Sequence, residues 1–183
     1  MRLNRVCPSA SSNDWIQDDV MVTEVLQSLG LTESELNPDI GPIQVNTGNS
    51  FIVIGVKDGL TLRNVKPDLD LISTISEKLD LIGYYVFTLD SSATGKDATT
   101  RMFAPRYAIK EESATGMAAG PLACVLHEHL NIGKNIFLIE QGSFMEPASP
   151  SLITVEVLVA NGKIQSLMAG GYGKVSKSLS INY

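Results

Sequence analysis

Glu111 and Glu112 stand just ahead of a run of small residues, Ser113-Ala-Thr-Gly-Met-Ala-Ala-Gly120, which leads into an apolar segment ending at Leu130. This spacing suggests proton transfer beside a bound anion. A carboxylate lodged against apolar walls titrates higher than in water and can pass a proton. A helix start offers N–H groups that lack intrahelical partners, together with the positive end of the helix dipole. Thr115 is the expected cap, and Gly116 lets backbone approach closely. A small carboxylate is expected at the N–H groups of residues 116–118, which makes Thr115, Gly116, Met117 and Ala118 the candidate binding residues. Adjacent side chains point in different directions, so Glu111 and Glu112 do not form a close acid pair, and one is expected to face a cleft. The plain alternative is a charge pair at the start of a core helix with a glycine-rich lead-in.

Other polar groups fit the same cleft or have a purely structural use. Arg101 could fix a carboxylate through a two-pronged pair, or pair with Glu111 or Glu112. Gly48, in the small polar turn Thr47-Gly-Asn-Ser50, could line the cleft or merely connect strands. His127 and His129 are two apart, which is not the spacing of a zinc helix, so no metal is expected. Gly170-Gly-Tyr-Gly-Lys174 lacks the spacing and hydroxyl of a phosphate loop and reads as a turn.

Several elements must position these groups. The central segment is apolar on nearly all sides, as a buried helix is. Pro121 allows two starts: Gly116 with a kink at the proline, or Gly120 with residues 116–119 as a tight turn. Before it, a helix is expected over 15–29 with Gly30 as its stop, then strands over 43–45 and 50–56. Asp58-Gly59 is expected to turn a hairpin into a strand over 60–65. A helix over 68–79 and strands over 83–89 and 100–103 follow. After the central helix come strands over 135–141, 152–160 and 163–169, with Asn161-Gly162 as the strongest hairpin signal. A last strand is expected over 172–181. Hairpins outnumber crossovers, so the order predicts an α+β fold in which a strongly curved sheet wraps a central helix.

The totals set further bounds. With 183 residues, 44% hydrophobic and 19% charged, the chain can bury a real core. A net charge of -6 and no arginine cluster argue against a nucleic-acid partner. No apolar run approaches a membrane span, and no apolar leader follows Arg2 and Arg5. Cys7 and Cys124 read as reduced thiols of a cytoplasmic protein rather than as a disulfide scaffold.

Taken in order, the stretches Pro42 to Ile54, Gly83 to Thr88, Arg101-Met-Phe-Ala-Pro105, Glu111 to Gly120 and Gly162 to Gly171 resemble the carboxyl-terminal portion of the phenazine-biosynthesis PhzF-like family. The resemblance runs from about residue 15 to 183. It implies a diaminopimelate epimerase-like fold: two similar domains, each a curved β-barrel around a central helix, with the active site in the cleft between them. It further implies a homodimeric isomerase or epimerase that moves a proton on a small carboxylated metabolite without metal or organic cofactor. The family's motif, Glu-Asp-Pro-x-Thr-Gly-Ser, matches Glu111 to Met117. The catalytic acid therefore falls on Glu112, where well-understood members have aspartate. Met117 replaces a serine and has no hydroxyl to donate.

The family's proton-shuttling glutamate and a histidine of its site belong to the amino-terminal domain and have no matching position here. Residues 1–42 are accordingly expected to be a remnant or linker of that domain, and residues 43–183 the carboxyl-terminal barrel. Two functions follow. The first is a truncated isomerase subunit, partnered by a second copy or by a separately encoded amino-terminal half. The alternative is an inactive binding or structural module derived from the family.

Overall fold

The computed structural model describes residues 3–5, 19–90, 95–173 and 179–180. One nine-stranded sheet forms the body. Its strands are β1 (Leu3–Arg5), β2 (Ile43–Asn46), β3 (Ser50–Gly55), β4 (Gly83–Thr88), β5 (Ala98–Ala104), β6 (Ile109–Glu112), β7 (Ile136–Gln141), β8 (Ser151–Ala160) and β9 (Lys163–Gly171). The helices are α1 (Asp19–Leu29), α2 (Gly59–Asn64), α3 (Leu69–Lys78) and α4 (Gly116–Cys124). Along the sheet the order is β1-β9-β8-β7-β5-β4-β3-β2, and β6 pairs with β5.

The sheet curls. Helix α4 touches β8 and β9 and also β3, although β7, β5 and β4 lie between them in strand order. A flat sheet could not bring both regions to one helix. The α4 side chains Ala118, Ala119, Leu122 and Ala123 sit in one core with Phe51, Val53, Tyr85, Met102, Phe137, Val155 and Leu167. The fold is thus an α+β half-barrel around a central apolar helix, as expected. Its other face is covered over β3 to β5 by α1, α2 and α3, through a second core containing Leu26, Leu29, Leu62, Ile72, Ile52, Tyr84 and Phe103. With both faces covered, every residue of β3, β4 and β5 is buried. Helix α1 thus shares this second core with residues of β3 and β4.

Local chemistry accounts for most boundaries. Gly30 (φ 66°) ends α1, and the Leu31 N–H reaches the Leu26 carbonyl at 3.0 Å. Asp68 caps α3 by accepting from the Leu71 N–H at 3.0 Å. Asn161 and Gly162 both have positive φ, 54° and 71°, as the tight hairpin joining β8 to β9 requires. Helix α4 begins at Gly116 with Pro121 inside it, which settles the choice between the two starts. The Met117 carbonyl loses its usual partner at the proline. A π-turn over Val125–His129 then closes the helix.

Three expectations are corrected. Asp58-Gly59 does not turn a hairpin, because β4 pairs parallel to β3 and the chain must cross over. Instead Asp58 caps α2, accepting from the Thr61 N–H at 2.7 Å, so residues 60–65 are not a strand. The amino end, ahead of the first element expected from sequence, supplies β1, for which β9 provides the pairing edge. Gly170 and Gly171 extend β9 rather than turning. Of the helix expected over 15–29, residues 15–18 lie outside the described residues. Of the strand expected over 172–181, residues 172, 173, 179 and 180 are not in a strand, and the rest lie outside the described residues.

Candidate functional site

Strand β6 brings the two glutamates in side by side on opposite faces of the sheet. Glu112 pairs in register with Met102 of β5, which faces α4. Glu111 turns to the other face. There Arg101 grips it with two prongs, Nε to Oε1 and the guanidinium Nη2 to Oε2, both at 2.8 Å. The remaining guanidinium nitrogen donates to the Val65 carbonyl at 2.9 Å and, more weakly, to the Leu62 and Arg63 carbonyls. Arg101 is buried, with its guanidinium 5.0 Å from the Phe103 ring centroid. Of the two uses left open by the sequence, the structure shows pairing with Glu111, on the sheet face away from α4. Glu112 is half-buried on the α4 side, and no donor reaches its carboxylate among the described residues.

From Glu112 the chain turns through residues 113–115 into α4. Gln141, the wholly buried last residue of β7, holds this turn. Its Nε2 donates to the Glu112 carbonyl at 2.6 Å and to Thr115 Oγ1 at 3.1 Å. Its Oε1 accepts from the Thr115 N–H at 3.2 Å and from the Tyr85 hydroxyl at 3.0 Å. Tyr85 in turn accepts from Thr100, whose hydroxyl also reaches the Glu140 carbonyl. Burial pushes the Tyr85 phenol far above its ordinary range, so it remains a neutral donor. Gly142 follows at φ 86°, with the Ser149 and Ser113 carbonyls so close that a side chain would collide with them.

The start of α4 is open. Thr115 occupies the cap position, but its side chain does not cap the helix. The Ala118 and Ala119 N–H groups both return to the Thr115 carbonyl. That leaves the Gly116 and Met117 N–H groups without acceptors among the described residues. Ala118 was expected among the binding residues, but its side chain is in the core and its N–H is used. Met117 is exposed, and its Sδ accepts from Asn49 Nδ2 at 3.3 Å. This contact brings the β2–β3 turn, with Gly48 at φ 100°, beside the helix start. A half-open cleft of about 410 Å³ adjoins it, walled by Ala114, Gly116, Ser151, Ile153, Ala169 and Gly171.

The structure therefore assembles Thr115, Gly116, Met117 and Gly48 at one end of the barrel, puts Glu112 on the same side, and turns Arg101 away. Gln141 and Tyr85 were not singled out from sequence, and Gly171 only as part of an expected turn. The glycine-rich run at 170–173 was a partial signal, since small residues there leave the cleft open opposite Gly116. His127 and His129 lie beyond the other end of α4, and His127 Nδ1 is 3.2 Å from the Lys134 carbonyl. Among the described residues no three metal-ligating side chains cluster, and no helix is long and apolar enough to cross a membrane.

Residues 16–176 match the sequence model of the phenazine biosynthesis-like protein family. An uncharacterised isomerase of Clostridium acetobutylicum is 36% identical over 106 residues, covering 58% of this chain and 35% of that protein. The trans-2,3-dihydro-3-hydroxyanthranilate isomerase of Pseudomonas chlororaphis is 30% identical over 133 residues, covering 71% of this chain and 42% of that protein. Among solved structures, a PhzF-family phenazine biosynthesis protein of Bacillus anthracis matches with a TM-score of 0.73 at 19% identity, covering 93% of this chain and 56% of that one. A Pseudomonas aeruginosa protein described as a predicted epimerase matches with a TM-score of 0.63 at 23% identity, covering 97% and 56%. At these identities the structural likeness speaks for the fold alone. The alignments with these two curated relatives span less than half of each relative's length.

Proposed function

This chain belongs to the phenazine biosynthesis-like family, and we propose that it forms part of an isomerase or epimerase that moves a proton on a small carboxylated metabolite. The observation that carries the reading is the start of α4. Two adjacent amides, Gly116 and Met117, lack acceptors among the described residues and open beside a cleft, with Glu112 on the same side of the sheet. A substrate carboxylate would accept from these amides, gaining charge-assisted hydrogen bonds and the favourable end of the helix dipole.

Glu112 would sit beside that anion. From there its carboxyl group would exchange a proton with the substrate or brace it. The cleft wall carries no carboxylate, histidine or lysine among the described residues. A second proton-transfer group would therefore come from elsewhere, either a second copy or an amino-terminal half. The balance of the reaction is simple: one C–H bond breaks, its proton goes to a base, and another carbon receives a proton. No net oxidation occurs. The substrate class follows the Pseudomonas chlororaphis relative, a cyclic carboxylated diene.

Incubation with such dienes in deuterated water, in the presence of the amino-terminal half of a curated relative, tests the reading. Deuterium should enter the product, and Glu112→Gln should slow its entry by about 10²-fold, the scale of a positioned proton-transfer group, without unfolding the chain. No deuterium entry with that half present, or an unchanged rate in Glu112→Gln, would overturn it.

A further inference from the structure

We propose that Gln141 is a positioning residue for the carboxylate site, deciding which amides of the α4 start meet the ligand. This rests on the reading of that site given above. The side-chain amide of Gln141 makes four hydrogen bonds, two donated and two accepted, and is wholly buried. That exhausts its two N–H hydrogens and both lone pairs of its oxygen. Its orientation is also dictated by its partners. The Thr115 N–H can only donate and the Glu112 carbonyl can only accept, so Oε1 must face the first and Nε2 the second.

The consequence lies at the helix start. Gln141 occupies the Thr115 N–H, and Ala118 is taken by the Thr115 carbonyl. Among the described residues, Gly116 and Met117 are the amides of this start left without acceptors. Because the same amide also fixes the Glu112 carbonyl, one side chain ties the proposed acid and the proposed anion-binding amides to the rigid end of β7. Tyr85 and Thr100 anchor Gln141 from behind.

Gln141→Glu gives a signature that loss of packing would not. In its protonated form the carboxyl accepts from Thr115 and Tyr85 and donates to the Glu112 carbonyl. In its ionised form it sets a charge against that carbonyl and behind the ligand's own charge. The groups facing position 141 are Tyr85, held neutral by burial, and Glu112, through its backbone. Glu140 lies on the opposite sheet face and is paired with Lys96. The variant is therefore compared in the parent and in a Glu112→Gln background, which separates out any effect passed through the Glu112 side chain.

The test titrates the full chain with benzoate from about pH 5.5 to about pH 8, following the Gly116 and Met117 amides by nuclear magnetic resonance. Gln141→Glu should lose affinity by about tenfold or more across this range, beyond any change in its background, as charge repulsion at short range requires. Affinity that tracks the background at every pH overturns the proposal. If Gln141→Glu does not fold, Tyr85→Phe carries the test. It removes one donor to Oε1 and keeps the ring. Hydrogen exchange at Thr115 should speed up and benzoate should bind about two- to fivefold more weakly, as the loss of one neutral hydrogen bond implies. No change in either overturns the proposal. If benzoate fails to move Gly116 and Met117 in the parent itself, the reading of the site falls, and the inference with it.

Discussion

Replacing Arg101 with methionine should cost fold stability and leave the cleft intact. The guanidinium makes two 2.8 Å bonds to Glu111 and one 2.9 Å bond to the Val65 carbonyl. The Arg101 and Glu111 side chains are only 9% and 17% exposed, so little water can replace the lost partner. Methionine keeps much of the packed stem but orphans the Glu111 charge and strips the carbonyls at the end of α2 of a donor. Breaking a buried ion pair from one side costs about 3–5 kcal/mol, and the residual exposure of Glu111 favours the lower end. For a chain of this length that is a fall in Tm of roughly 6–20 °C.

The double variant Arg101→Met with Glu111→Leu should recover about half of the loss or more, because no charge is then left unpaired. Arg101→Lys should fall between the parent and methionine, keeping the charge and losing the fork. Urea unfolding with unchanged m-values measures all four proteins, and benzoate titration of each tests the cleft separately. A methionine variant within about 1 kcal/mol of the parent, well inside the loss expected for a buried pair, would refute the reasoning. Retained stability with loss of the benzoate shifts at Gly116 and Met117 would make Arg101 a ligand group instead.

Further outcomes follow from other parts of the structure. Gly142→Ala should destabilise the fold sharply, by about 3 kcal/mol or more, because its Cβ would fall 2.2 Å from the Ser149 carbonyl oxygen at a positive φ; thermal unfolding within 2–3 °C of the parent would contradict this. Burial pushes the Glu140 carboxyl up, but hydrogen bonds from Lys96, Ser143 and Thr99 outweigh it and hold the group below its ordinary value. A depressed carboxylate adds stability above its unfolded pKa and loses it as pH falls through the folded one, so the parent's Tm should drop below about pH 4.5, and less steeply in Lys96→Met. Equal acid slopes in the two proteins would exclude the pair as the cause. Ile136, Leu152 and Leu158 are exposed on one face of β7 and β8, which predicts self-association of this chain. Sedimentation at micromolar concentration should show a dimer, and a monomer throughout would defeat the expectation.

What the sequence revealed depended on how far each interaction reaches along the chain. The β8–β9 hairpin was legible because Asn161 and Gly162 carry the whole turn in two residues. Helix α4 was legible because all-round apolarity has one common outcome in a domain of this size. Asp58-Gly59 was misread because a hairpin and a helix cap share those residue types. Only the parallel register of β4 on β3, some 30 residues later, selects the cap. Gln141 was illegible for the same reason. Its partners Tyr85, Glu112 and Thr115 lie 56, 29 and 26 residues away, and nothing near position 141 announces them.

The register of β5 decides which charges the cleft receives. Thr100 and Met102 face α4, while Arg101 and Phe103 face α2 and α3. A slip of one residue would exchange the two sets, since side chains alternate across a strand. Arg101 would then enter the α4 core, where its charge would have to be paired or solvated, and Met102 would face the carbonyls at the end of α2 with nothing to donate. The Arg101–Glu111 pair thus opposes that slip. It also fixes β6, because Glu111 can meet Arg101 only if Glu112 points to the other face. The structural ion pair and the candidate acid are therefore consequences of a single alternation. Strengthening one therefore keeps the other on the α4 side of the sheet.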